Sequence, residues 1–97
     1  EKAEETLKAV GLWEDREKKV SELSGGMARR VAIARDLAYP FDILLLDEAF
    51  TGIDDLRKGL IQEYILENLS GKTLLLISHD EGECDKMCDR RIKIPQI

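Results

Sequence analysis

Three short groups of polar residues, each beside an apolar segment, carry the side chains that could perform chemistry. The first is Leu23-Ser24-Gly25-Gly26-Met27, which opens a predicted helix. Glycine at a helix start loses conformational entropy on folding, and it is useful where a ligand must approach the backbone closely. A Ser hydroxyl and the N–H groups at the positive end of a helix dipole form an anion site. The pattern therefore predicts phosphate binding at Ser24, Gly25 and Gly26, and the alternative is a flexible turn before an ordinary helix.

The second group is the acidic pair Asp47 and Glu48, which directly follows the apolar run Ile43–Leu46. In open parallel sheets, ligands bind at the carboxyl ends of the strands. At such an edge Asp47 could hold Mg²⁺ through water, and Glu48 could orient or deprotonate a nucleophilic water. The alternative is a strand end that reaches solvent, where acidic residues are common.

The third group is Ser78-His79-Asp80, which follows a second apolar run and contains the single histidine of the chain. Taken alone, this segment is typical of a polar loop. If the two apolar runs are strands of one βαβ unit, however, His79 and Glu48 lie at the same edge of the sheet. A histidine placed there could contact a terminal phosphate and the attacking water.

Two other patterns do not support a site. Gly71-Lys72-Thr73 has the ending of a phosphate-binding P-loop, but that pattern requires glycine at position 66, where the chain has leucine, and a strand before it with a helix after it. The acids of residues 80–85 together with His79 and the two cysteines match no metal-ligand spacing. Cys84 and Cys88 lie four apart in a predicted helix, a poor geometry for a disulfide, and we expect reduced thiols.

The elements that would position these groups follow from hydrophobic periodicity and from cap and turn residues. Strand, helix and strand in that order, with a crossover of this length, form a βαβ unit, so the fold class is α/β. The continuous apolar runs predict strands that are buried on both faces, as in parallel sheets. The predicted order is a helix over residues 1–12, a helix from Ser24 to Tyr39, a strand at 42–47, a helix from Asp54 or Asp55 to a C′ glycine at Gly71, a strand at 73–78, a helix at 80–87 and an edge strand at 91–94.

Composition excludes several classes of protein. The chain has 97 residues, of which 43% are hydrophobic and 36% charged, a globular balance that argues against disorder and collagen-like structure. Its longest apolar runs are too short for a membrane span. The net charge of −5 argues against nonspecific nucleic-acid binding. Because the chain lacks an initiator Met, we expect it to begin within a longer protein.

Taken in order, the motifs resemble those of the nucleotide-binding subunits of ATP-binding cassette (ABC) transporters. Leu23–Met27 resembles the signature motif, Ile43–Glu48 the Walker B strand with its catalytic Glu, Phe50–Asp54 the D-loop, and His79 the switch histidine. The resemblance covers nearly the whole chain, and three ordered motifs at family-like spacing make it specific. With Met27 in this position, the signature motif resembles that of importers of the nitrate, sulfonate and taurine type.

The chain also departs from the family pattern. Met27 stands where Gln is usual, Ala49 replaces the common Pro, and Thr51-Gly52-Ile53-Asp54 replaces the frequent Ser-Ala-Leu-Asp but keeps its Asp. The family's Walker A loop, Q-loop and adenine-stacking aromatic lie upstream of such a segment and are not in these 97 residues. Since the acidic and phosphate-facing residues are intact, we expect the parent protein to be an active ATPase.

The resemblance also implies a domain organisation. We expect residues 1–97 to be the C-terminal part of a P-loop ATPase domain, present as a fragment, split gene product or truncation. Residues 1–41 would be the end of the helical subdomain with the signature helix. Residues 42–97 would be the core segment from Walker B to beyond the switch histidine.

The resemblance implies ATP and Mg²⁺ as cofactors of the complete protein, sandwiched in a head-to-tail dimer with a second ATP-binding subunit. The implied catalytic residues are Glu48 and His79, and Asp47 would hold the metal. The residues implied to bind ATP are Ser24, Gly25, Gly26 and Asp54.

Closure of the dimer would drive a membrane permease subunit. The resemblance thus implies a peripheral location at the inner, cytoplasmic face of the cell membrane, and it implies no nucleic-acid partner. We expect the isolated chain to be inactive, because it lacks the loop that supplies most phosphate contacts in such ATPases. One alternative is a catalytically silent module that only pairs with an ATPase. Another is a soluble ABC-type ATPase in DNA repair or translation, which coiled-coil insertions or a duplicated cassette in the parent gene would favour.

Overall fold

In the computed structural model, which describes residues 2–92, two helices precede a strand–helix–strand unit and a last helix follows it. Two short 3₁₀ turns, Trp13–Asp15 and Val20–Glu22, connect the first helix to the second. The elements are α1 (Lys2–Ala9), α2 (Gly25–Ala38), β1 (Ile43–Asp47), α3 (Asp55–Glu67), β2 (Thr73–Ile77) and α4 (Glu81–Met87). The predicted α/β class, with parallel strands and flanking helices, is confirmed.

The two strands are parallel neighbours, so β1, α3 and β2 form the predicted βαβ unit. The register pairs Ile43 with Thr73 at one end and Asp47 with Ile77 at the other. Both strands therefore end at the same edge of the sheet, and the segments that follow Asp47 and Ile77 emerge side by side.

Three helices begin at a side chain that accepts a hydrogen bond from the helix backbone. Ser24 caps α2, as predicted, Asp54 caps α3 and Asp80 caps α4. Such caps satisfy N–H groups that have no partner within the helix. The donors are the backbone N–H groups of Met27 at 3.1 Å, Arg57 at 2.9 Å and Glu83 at 3.1 Å.

Among residues 2–92 the core lies on one side of the sheet, which corrects the predicted burial of both faces. In β1, Leu44 and Leu46 are buried, whereas Ile43 and Leu45 are 60% and 56% exposed. The reason is that the helices cover a single face and leave the outward-pointing side chains uncovered. The helix residues of this core are Ile33, Ala34 and Leu37 of α2, Ile61 and Ile65 of α3, and Met87 of α4.

The predicted end of the third helix also needs correction. The third helix ends at Glu67, where Asn68 caps it, and Gly71 instead takes a φ of +73° in the turn that enters β2. Glycine suits that turn because left-handed backbone is strained for other residues. In α2, the buried side is centred on Ile33, so Val31 on another side of the helix is 36% exposed.

The predicted edge strand at 91–94 falls mostly outside the described residues, and Arg91 and Ile92 belong to no strand. Cys84 and Cys88 are free. Burial raises the pKa of the Cys88 thiol above its ordinary value, with smaller contributions from Cys84 and Asp89, so this thiol is a poor nucleophile near neutral pH. Within residues 2–92, no helix combines the length and the apolar character that crossing a membrane requires.

Candidate functional site

The side chains of Glu48 and His79 meet at the carboxyl edge of the sheet. The imidazole Nδ1–H of His79 donates to Oε1 of Glu48 across 2.5 Å. The contact joins residues 31 positions apart in sequence, and it follows from the parallel register of β1 and β2. His79 remains 83% exposed, so its Nε2 faces solvent while Nδ1 is engaged. The structure thus brings together the two residues that sequence reasoning placed at this edge.

The backbone of Glu48 has a left-handed conformation, with φ at +50°. For a residue with a side chain this conformation costs roughly 1–2 kcal/mol. Its N–H donates to the carbonyl of Ile77 at 2.8 Å, so the residue is tied to the end of β2 as well as to His79. Strained backbone of this kind clusters at functional sites and persists where the surroundings fix it.

The loop that carries His79 is held by a network of polar side chains. The hydroxyl of Ser78 donates to Oε1 of Glu83 at 2.7 Å and accepts the N–H of Asp80 at 2.9 Å. Lys58 of α3 lies 3.5 Å from the Glu83 carboxylate and 3.8 Å from that of Asp80. This network ties the loop to α3, and it was not predicted from the sequence because its members are scattered along the chain.

An open cleft of about 590 Å³ lies over this edge. Its polar lining includes Glu48, Lys58, His79 and Glu83, and the turn at residues 50–53 forms another part of its wall. The cleft is wide and open to solvent, which suits a large polar ligand better than a small apolar one.

The start of α2 lies against the turn that follows Glu48. A Cβ atom built on Gly26 would lie 2.7 Å from the carbonyl oxygen of Gly52, whereas one built on Gly25 would meet nothing within 4 Å. The two glycines of the motif therefore differ. Gly26 allows a close approach within the chain, and Gly25 leaves open space beside the exposed hydroxyl of Ser24.

The difference between the two glycines gives a stability prediction. Gly26→Ala should destabilise the chain by about 1–3 kcal/mol, because the new methyl group would overlap a backbone carbonyl. Gly25→Ala is the matched control and should be neutral or slightly stabilising, since alanine favours helix over glycine. Thermal unfolding followed by circular dichroism measures both. Equal melting temperatures for the two variants would contradict the close contact with Gly52.

Arg29 of α2 reaches the same edge, where its Nη1 donates to the backbone carbonyl of Glu48 at 3.1 Å. Sequence patterns do not distinguish Arg29 from Arg30 and Arg35 of the same helix. The available signal was only that Arg29 follows Gly26 by three residues and so shares its face of the helix. Its contact with Glu48 depends on how α2 packs against β1.

Asp47 and Asp54 occupy different surroundings. Asp47 ends β1 with its carboxylate exposed beside Glu48. Its hard oxygen donors fit Mg²⁺, which usually takes one or two carboxylates and completes its shell with phosphate and water. Within residues 2–92 no three His, Cys, Asp or Glu side chains gather as a ligand group, so phosphate and water would supply the other ligands. Asp54 is exposed and its Oδ1 is engaged in capping α3.

Comparison with known families decides the classification. The family described as ABC transporter matches residues 1–51, just over half of the chain, and this stretch includes the Ser24–Gly26 helix start and the Asp47–Glu48 pair. The chain belongs to the ABC transporter family. The resemblance inferred from the motifs is therefore confirmed. ATP-binding subunits of this family bind ATP with Mg²⁺ and generally work as dimers, attached peripherally to a membrane permease.

Curated relatives of this ABC protein are similar along nearly the whole chain. An uncharacterized ABC transporter ATP-binding protein of Haemophilus influenzae is 39% identical over 90 residues, which cover 93% of the chain and 38% of the relative. The bicarbonate transport ATP-binding protein CmpD of Synechococcus elongatus is 43% identical over 90 residues, covering 91% and 32%. The nitrate import ATP-binding protein NrtC of Synechocystis is 40% identical over 93 residues, covering 94% and 14%. The chain thus spans well under half the length of these relatives.

Proposed function

We propose that this chain works as part of an ATP-binding subunit that couples ATP hydrolysis to transport across a membrane. The observation that carries the proposal is the contact between Glu48 and His79 at the carboxyl edge of a parallel sheet, directly beside Asp47. An acid that can act on water, a histidine and a metal-binding carboxylate at one edge suit phosphoryl transfer to water. Such a reaction needs mainly positioning and charge stabilisation.

Each of these residues has a proposed role. Glu48 keeps Oε2 for the attacking water while Oε1 accepts from His79, and it takes the proton of that water as general base. With a proton on each ring nitrogen, His79 donates from Nδ1 to the Glu48 carboxylate and from its exposed Nε2 to the terminal phosphate. Asp47 would hold Mg²⁺, which when bound neutralises charge on the phosphates.

The start of α2 has a proposed role toward a second subunit. The N–H group of Met27 donates to Ser24, but those of Gly25 and Gly26 have no acceptor within the helix, and the open space at Gly25 admits a phosphate oxygen. In a head-to-tail dimer Ser24, Gly25 and Gly26 would contact the γ-phosphate of the nucleotide held by the partner. Asp54, in the turn next to Gly52, would lie at the same interface.

The proposal also covers the assembly. Closure of the ATP-bound dimer would drive a membrane permease at the inner face of the cell membrane, and no nucleic acid takes part. The relative whose name specifies nitrate import supports the direction of import.

ATPase assays on the complete subunit test the proposed function. Nucleotide binding by the 97-residue chain tests how far ATP affinity depends on a phosphate-binding loop. The complete subunit should hydrolyse MgATP, and its turnover should rise when it is reconstituted with its permease in liposomes. The 97-residue chain contains no Gly-x-x-x-x-Gly-Lys-Ser/Thr loop. Because Asp47 and Glu48 then face the triphosphate as uncompensated negative charges, the chain alone should bind MgATP only at roughly millimolar Kd, worth about 4 kcal/mol.

Isothermal titration calorimetry of the purified chain measures this affinity, and light scattering checks for association through the exposed sheet face. Micromolar binding or turnover by the chain alone would contradict its expected inactivity. A complete subunit that binds ATP but never hydrolyses it would indicate a silent pairing module. Turnover that ignores the permease would favour a soluble ATPase.

A further inference from the structure

Arg29 connects the helix that starts at Ser24 to the proposed general base. Its Nη1 lies 3.1 Å from the backbone carbonyl oxygen of Glu48. The other backbone donor to this oxygen is the N–H of Thr51, at 3.5 Å. A hydrogen bond from a charged guanidinium is stronger than one between neutral groups, so Arg29 is the closer and the stronger of the two donors.

The conformation of Glu48 makes this contact important. With φ at +50°, the residue stays in place only if its surroundings fix it. Its N–H is held by Ile77 at 2.8 Å and its side chain by His79 at 2.5 Å, and both of these partners belong to β2 or to the loop that follows. The carbonyl bond from Arg29 is the contact that comes from α2.

We infer that Arg29 is a positioning residue that makes the orientation of the Glu48 carboxylate depend on the position of α2. The inference rests on the proposed function of Glu48 as general base. A second contact joins α2 to the turn that follows Glu48, because Gly26 in the first turn of the helix packs against the carbonyl of Gly52. A displacement of α2, such as one caused by a ligand at its phosphate-facing start, therefore acts on the Glu48 backbone through Arg29.

The test is steady-state ATP hydrolysis by the complete subunit. Arg29→Ala should lower kcat about tenfold, because a small misplacement of a catalytic group is costly. Its KM for ATP should stay within about twofold of wild type, since the substrate contacts remain. Arg29→Lys keeps a cationic donor at this position and should restore most of the lost turnover. If Arg29→Ala does not fold, Arg29→Gln replaces it, with the same expected loss of kcat.

Arg30→Ala is the matched control. Arg30 is the next residue of the same helix. Its Nη1 also donates to a backbone carbonyl at 3.1 Å, that of Val10, which directly follows α1. This variant should lower the melting temperature but keep kcat per folded molecule. An equal loss of kcat in the Arg29 and Arg30 variants would show only a structural role and overturn the inference.

Glu48→Gln serves as the reference for the proposed function. In the double variant Arg29→Ala with Glu48→Gln, the arginine change should cause no further loss, because residues that act through one another are not additive. Wild-type kcat in Arg29→Ala, with Glu48→Gln inactive, would overturn the inference alone. Full activity of Glu48→Gln would overturn the proposed function itself.

Discussion

Glu48→Gln in the complete subunit is expected to lower ATP turnover by roughly 10²–10⁴-fold, the range for loss of a general base, while ATP binding persists. The structure makes this substitution a clean test. Glutamine retains an Oε1 that can accept from His79 Nδ1, so the 2.5 Å contact can survive. Its chain length and its left-handed backbone are also retained. The change removes mainly the negative charge and the capacity to take a proton.

Steady-state ATPase assays and nucleotide-binding titrations measure the two parts of this prediction. Glu63→Gln is a suitable control because Glu63 is an exposed acid on α3 and does not line the cleft. It removes the same charge and should leave turnover unchanged. Near-normal turnover in Glu48→Gln would remove this residue from the role of general base.

Gly25→Asp is expected to abolish formation of the ATP-bound dimer without unfolding the subunit. The structure leaves open space where the new side chain would begin. An acidic residue near a helix start is moderately favourable for the helix, by about 0.3–1 kcal/mol. Fold stability should therefore be maintained. The carboxylate would instead repel the phosphate that the partner's nucleotide presents to this surface.

Gly25→Asn separates charge from size, because asparagine has nearly the same shape as aspartate and no charge. Size-exclusion chromatography of the subunit trapped with ATP, in the Glu48→Gln background, reports the dimer. We expect the dimer to be lost with Asp and weakened less with Asn. If the Asp variant dimerises as well as wild type, the Ser24–Gly26 segment is only a turn that starts a helix.

Much of the fold, and the Glu48–His79 contact of the site, could be predicted because the signals lie in short stretches of sequence. Ser24 and Asp80 mark helix starts because their side chains can accept from N–H groups a few residues along. The apolar runs before Asp47 and Ser78 mark strands. The parallel βαβ rule then places the ends of both strands at one edge, and the Glu48–His79 contact follows from that rule.

Burial on both faces of the strands was predicted wrongly for a physical reason. Ile43-Leu44-Leu45-Leu46 is compatible with two covered faces, but coverage depends on the side on which the helices pack. The helix residues of the core form one buried cluster with Leu44 and Leu46, and Ile43 and Leu45 stay exposed. A run of aliphatic residues contains no information about how many layers surround it.

By itself, the sequence determined the family, the order of the elements, their caps and the chemistry available at the strand ends, because each of these depends on neighbouring residues or on one topological rule. Only the tertiary structure decided that Gly26 packs against Gly52, that Lys58 holds the loop of His79, and that Arg29 holds the strained backbone of Glu48. These contacts join residues between 19 and 26 positions apart. They depend on the position of one helix relative to another element. Local propensity and periodicity do not report that position.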